Sequence, residues 1–149
     1  MEDNLIIDFT PTGMIPTKAL THYVPVHTTE IIEDIHLAWE LGITKVHLHA
    51  RSPEDESSTY KKEIYAQIIE GIRKFAPDLV ICISLSGRTF TRFEERSDAL
   101  DLKGDLKPDM GSLTLSSLNF NKIASINSPD MIQALAGKMQ SIGIVPELE

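Results

Sequence analysis

The chain has 149 residues, 42% hydrophobic and 24% charged, with a formal net charge of −8; this is the make-up of one globular domain with a core, not of a disordered tail. Its basic residues are scattered among acidic ones without a Lys/Arg block, which excludes nucleic acid as a partner class. No apolar run approaches the roughly 20 residues that span a bilayer, and Met1-Glu2-Asp3-Asn4 lacks the basic segment of a signal peptide, so no membrane partner and a cytoplasmic location are expected.

Short apolar runs alternate with stretches of helical period, the pattern of parallel βαβ units. A first strand is predicted over Leu5 to Phe9, ending in Thr10-Pro11-Thr12-Gly13. A helix follows, its apolar stripe made by Ile31, Ile32, Ile35, Ala38 and Trp39, with Gly42 just past its end. The second strand, Lys45 to Ala50, runs into Arg51. The next helix carries Ile64, Ile68, Ile69, Ile72 and Phe75 and stops before Pro77. The third strand, Leu79 to Leu85, holds the single cysteine, Cys82, inside an apolar run, where it reads as core. The segment from Thr91 to Asp105 is poorly periodic, and a short helix is expected there, with a turn over Gly104 to Pro108.

The fourth strand is Met110 to Leu115. The last helix has Ser128 as N-cap, Pro129 at its first position and Asp130 in its first turn; Met131, Ile132, Leu135, Met139 and Ile142 follow, then Gly143. Ile144 to Leu148 is the fifth strand. From the second strand on, one βα unit recurs about every 33 residues, as βαβ repeats do, and residues 1–149 read as a single domain. Two architectures fit: a complete five-stranded doubly wound sheet, or the first five strands of an eight-stranded TIM barrel, which needs about 250 residues. The sequence stops on a strand with no helix to cover it, which favours the partial barrel.

In both architectures ligands bind at the carboxyl ends of the strands. Alternation along the second strand puts His47 and His49 on one face, about 7 Å apart at Cα, with Val46, Leu48 and Ala50 facing the helices. Two imidazoles converging in a partly dry interior need partners, and a divalent cation, zinc first, supplies them. The bland alternative is a pair of core histidines bonded to carbonyls or water. Arg51 at the strand terminus can bind a carboxylate or phosphate with its fork, or make an exposed loop salt bridge. Three strand ends are rich in hydroxyls and small residues, which predicts a polar pocket. Glu147 and Glu149 share a face of the final strand and are secondary candidates for an oxygen ligand. His22, His27 and His36 read as structural. No Gly-rich phosphate loop and no nucleophile elbow is present.

Several of these segments occur in the order found in a known family. Pro11-Thr12-Gly13-Met14-Ile15-Pro16-Thr17, Val46-His47-Leu48-His49-Ala50-Arg51, Leu106-Lys107-Pro108-Asp109-Met110, Ser117-Leu118-Asn119-Phe120 and Pro146-Glu147-Leu148-Glu149 together resemble the β-keto acid cleavage enzymes, typified by 3-keto-5-aminohexanoate cleavage enzyme. The resemblance implies a TIM barrel, a catalytic zinc, and acetyl-CoA as co-substrate of a β-keto acid, giving acetoacetate and a new CoA thioester. It implies His47 and His49 as zinc ligands and Ser84, Ser112 and Thr114 as substrate contacts. The sequence departs from the type member at Ile15, at Ser52 and in the run Ser84-Leu85-Ser86-Gly87-Arg88, all of which bear on the substrate more than on the metal.

Members of that family are much longer, and their third zinc ligand and catalytic aspartate come from the last barrel strand, so the catalytic residues are expected beyond Glu149. The chain then reads as an amino-terminal half barrel, inactive or nearly so alone, that forms a homo-oligomer or pairs with a complementary half. The competing readings are a non-catalytic half-barrel binding or assembly module, which would hold no zinc, and a complete flavodoxin-like domain, which would show a reversal of strand order.

Overall fold

The computed structural model describes residues 5–149; the Met1 to Asn4 segment lies outside the described residues. In chain order the elements are β1 (Asp8–Phe9), α1 (Thr28–Glu40), β2 (Lys45–Leu48), α2 (Lys62–Arg73), β3 (Val80–Ile83), α3 (Phe93–Ser97), β4 (Met110–Leu113), β5 (Leu118–Asn119), β6 (Ala124–Ser125), α4 (Pro129–Ile142) and β7 (Val145–Leu148). All five predicted strands and the three long helices are present. The poorly periodic segment holds α3 followed by two 3-10 turns, Asp98–Asp101 and Gly104–Leu106. The antiparallel β5–β6 hairpin was not predicted, because two-residue strands carry no readable period.

The predicted first strand shortens to two residues. The carbonyl of Ile7 still accepts the N–H groups of Thr44 and Lys45, but Leu5 and Ile6 are each 74% exposed at a sheet edge that has no further neighbour among the described residues. The helices begin and end for local reasons. At α1 the Glu30 carboxylate folds back to accept the N–H groups of Val26 (3.0 Å) and His27 (3.1 Å), satisfying donors that a helix start leaves open. At α4 the Ser128 hydroxyl accepts the Met131 N–H at 3.3 Å, and Gly143 closes the helix at φ 67°, a left-handed cap open to glycine.

The five long-sheet strands are all parallel, in the order β1-β2-β3-β4-β7. That order is the order of the sequence, so it holds no point of reversal, and the flavodoxin-like reading is overturned. Val46, Leu48 and Ala50, with Ile81, Ile83 and Leu85, pack against Ile68, Ile69 and Ile72 of α2 and Leu135 and Met139 of α4 in one buried core. Burying each large side chain contributes about 1.5–3 kcal/mol.

The opposite face carries Lys45, His47, Cys82, Ser112 and Glu147, as alternation requires. It is strongly concave. Glu147 of β7 and His47 of β2 stand three strand spacings apart, roughly 14 Å in a flat sheet, yet their side chains meet at 2.8 Å. Only a strongly curved sheet brings them together.

Candidate functional site

A pocket of about 240 Å³ opens at the carboxyl ends of β2, β3 and β4. His47, His49, Ser84, Ser86, Arg88, Thr114 and Glu149 supply its polar wall, and Leu118, Phe120 and Ser125 of the unpredicted hairpin cover one side. A larger hollow, about 780 Å³, lies at the other end of the sheet around Arg73, Asp109 and Gly143. It is walled by αβ turns, and its Arg73 already pairs with Asp109 at 2.8 Å, so the smaller pocket is the candidate site.

His47 and His49 lie as the alternation predicts, with ring centroids 5.1 Å apart. Burial holds His47 below its ordinary value, against the opposing charges of Glu149 and Asp8. His49 is pushed down to about 3 by burial first, then by the nearness of the His47 ring, which disfavours a second proton, and by the positive charges of Arg51 and Arg88. Both rings are therefore neutral near pH 7 and offer lone pairs of the kind zinc takes at about 2.0–2.1 Å; the donor set fits the metal that the resemblance implies.

Glu147 orients one of these rings. Its carboxylate receives His47 Nδ1 at 2.8 Å and the Cys82 thiol at 3.0 Å, and is ion-paired to Lys45, which also holds Asp8 at 2.8 Å. A carboxylate fixed by an ammonium accepts and does not donate, so Nδ1 carries the proton and the Nε2 lone pair is left for a ligand. The ligand atoms of His47, Cys82 and Glu147 also lie within 4.8 Å of one another. A cation among them would have to displace Lys45 and take up a thiol that burial pushes up to about 12. The trio therefore serves better as a support beneath the two rings than as a site of its own.

Of the predicted substrate contacts, Ser84 and Thr114 line the pocket. The Ser84 end of β3 is held by the buried Tyr65 hydroxyl, which donates to the Ser84 carbonyl at 3.3 Å, and Thr114 donates to Glu149 at 2.9 Å. Ser112 sits one pleat deeper, 2% exposed, and its hydroxyl accepts the Leu85 N–H at 3.0 Å. Arg51 differs from both readings of it. It is 2% exposed and its fork is engaged by backbone carbonyls: Nε to Glu56 at 2.9 Å, Nη2 to Pro16 at 2.6 Å and again to Glu56, and Nη1 to Gly13. It staples the loop after β1 to the loop after β2, and holds Glu56 at φ 61°, a strained value for a residue with a side chain. His22, His27 and His36 do not line the pocket. Arg88 does, and sequence reasoning had noted it only as a departure from the family pattern.

A family model described as beta-keto acid cleavage enzyme matches residues 4–149. The 3-oxoadipate:acetyl-CoA acetyltransferase of Cupriavidus necator is 37% identical over 149 residues, covering 100% of this chain and 50% of that protein. The 3-keto-5-aminohexanoate cleavage enzyme of Acetoanaerobium sticklandii is 30% identical over 148 residues, covering 99% and 52%. The apo structure of ObcA matches with a TM-score of 0.77 at 22% identity, over 85% of this chain and 30% of that one, a likeness of fold. The chain thus spans about half the length of the curated relatives it matches.

Proposed function

Since the chain belongs to the beta-keto acid cleavage enzyme family, we propose that it forms the metal-binding amino-terminal half of a barrel that exchanges acyl groups between a β-keto acid and acetyl-CoA. In that reaction the bond between C2 and C3 of the keto acid breaks. The C1–C2 unit takes the acetyl group and becomes acetoacetate, and the acyl remainder becomes the new CoA thioester.

The observation that carries this reading is the convergence of two neutral imidazoles, His47 and His49, at the mouth of a hydroxyl-lined pocket in a member of this family. When bound there, zinc supplies a Lewis acid for the keto group. Glu147 fixes the tautomer and aim of His47, and the hydroxyls of Ser84 and Thr114 hold the keto acid. The third metal ligand and the proton-transferring groups come, in this reading, from a complementary half that joins the sheet edges. Val145 and Leu148 on β7, 57% and 64% exposed, and Leu5 and Ile6 before β1 are the apolar residues such a half, or a second copy, would cover. A non-catalytic assembly module would share those edges but would not need the two histidines.

The test joins these 149 residues to the second half of the Cupriavidus necator relative and follows acetoacetate formation from a β-keto acid and acetyl-CoA. The fusion is expected to form acetoacetate only with zinc and to lose activity on His47→Ala, while the isolated chain stays inactive or nearly so. A folded, zinc-loaded fusion that forms no acetoacetate contradicts the proposal, and so does a monodisperse isolated monomer with full zinc-dependent activity.

A further inference from the structure

Three arginines surround the carboxyl ends of the strands, and two of them are fully occupied with the protein itself. Arg51 holds carbonyls of two loops, as described above. Arg96 gives Nε to the Leu85 carbonyl at 2.8 Å, Nη1 to the Ile126 carbonyl at 3.3 Å and Nη2 to the Asn127 side chain at 2.7 Å. Arg88 is different. Its Nε is buried and has no hydrogen-bond partner among the described residues. Its guanidinium lies over the Phe120 ring, 3.4 Å from carbon to centroid, in the wall of the pocket that holds His47, His49 and Ser84.

The position of this side chain is fixed from its base. The Arg88 N–H donates to the Ser86 hydroxyl at 3.3 Å, and Gly87 lies so close under the Ile126 carbonyl that an added Cβ would come within 2.6 Å of it. Loop and hairpin are thus pressed together where Arg88 leaves the backbone. Phe120 covers a face of the guanidinium and, as an aromatic ring, supplies no hydrogen-bond acceptor in the plane of its N–H groups. A charged donor that is buried and unmatched is costly, and the group that matches a guanidinium edge is a carboxylate, bound through two parallel hydrogen bonds.

We propose that Arg88 selects β-keto acids whose far end carries a second carboxylate. With the keto group at the histidines, the chain of the substrate runs across the pocket and its terminal carboxylate meets Arg88. This rests on the β-keto acid reading of the site. It adds what family membership leaves open, since the two relatives above are named for keto acids with different tails, a carboxylate in one and an amine in the other.

The test compares 3-oxoadipate with 3-oxohexanoate, which differ only in that a methyl replaces the terminal carboxylate. Binding of each to the zinc-loaded fusion described above, without acetyl-CoA, is measured by titration calorimetry for wild type, Arg88→Gln and Arg88→Lys. Wild type is expected to bind the diacid at least about tenfold more tightly. Arg88→Gln removes that preference by weakening the diacid alone, and Arg88→Lys keeps part of it. Equal weakening of both ligands would assign Arg88 to the carboxylate they share and overturn the proposal, as would a preference unchanged in Arg88→Gln. Wild-type binding of both acids without preference overturns the role of Arg88 and leaves the β-keto acid reading standing; binding of neither overturns both. Thermal melting of the variants verifies that they are folded, and Arg88→Lys carries the comparison if the glutamine variant melts early.

Discussion

At the scale of single residues, the two histidines were legible because strand alternation is a local rule: residues two apart share a face wherever the strand lies. Their support was not. Glu147 is 100 positions from His47, and nothing local says that β7 curls back across two strands to reach β2. Arg51 shows the same limit from the other side. Its guanidinium suited an anion as well as anything else until two loops brought the carbonyls of Gly13, Pro16 and Glu56 around it. Because the three carbonyls are matched to a planar fork, lysine cannot replace it. Arg51→Lys is expected to lower stability by about 2 kcal/mol or more, each lost charge-assisted bond being worth about 1.5–3 kcal/mol, as read by urea unfolding. A variant as stable as wild type would mean that the fork is not what joins the loops.

At the scale of elements, the start of α1 shows how a cap sets stability against pH. Burial pushes Glu30 upward, but the hydrogen bond from Lys18 (2.8 Å) and those from the Val26 and His27 backbones outweigh it and hold the carboxyl at about 2, against an ordinary 4.5. A carboxyl whose value is lower folded than unfolded stabilises the fold fully above the unfolded value and loses that contribution as pH falls toward the folded one. Glu30→Gln is therefore expected to lower the melting temperature at pH 7, with its gap to wild type closing between about pH 4.5 and 2. A gap that stays constant over that range would assign the effect to packing. The long helices were readable from their stripes and punctuation, Ser128 and Gly143 above all. The β5–β6 hairpin was not, since its four strand residues have no period, and with it went the wall that Leu118 and Phe120 give the pocket.

At the scale of the molecule, the sequence order of the parallel strands and the 2.8 Å meeting of His47 with Glu147 describe one curved sheet whose concave face gathers polar groups while its convex face carries the core. The five strands of the parallel sheet and their repeat were readable in advance because each βα unit announces itself locally. Curvature was not, because it is a property of all five strands together. It sets the surroundings of His47, since a flat sheet would leave that ring without the Glu147 carboxylate. None of the described helices is long and apolar enough to cross a membrane.

That His47 and His49 are metal ligands, with Glu147 behind the first, is tested most directly by zinc titration of the purified 149-residue chain, followed by calorimetry and by elemental analysis after dialysis. One zinc per chain is expected, lost on His47→Ala and on His49→Ala, weakened about 10- to 100-fold on Glu147→Ala as for other carboxylates that orient a ligating imidazole, and retained on Arg88→Gln. Wild-type protein that binds no zinc, or zinc binding that survives both histidine substitutions, would contradict it.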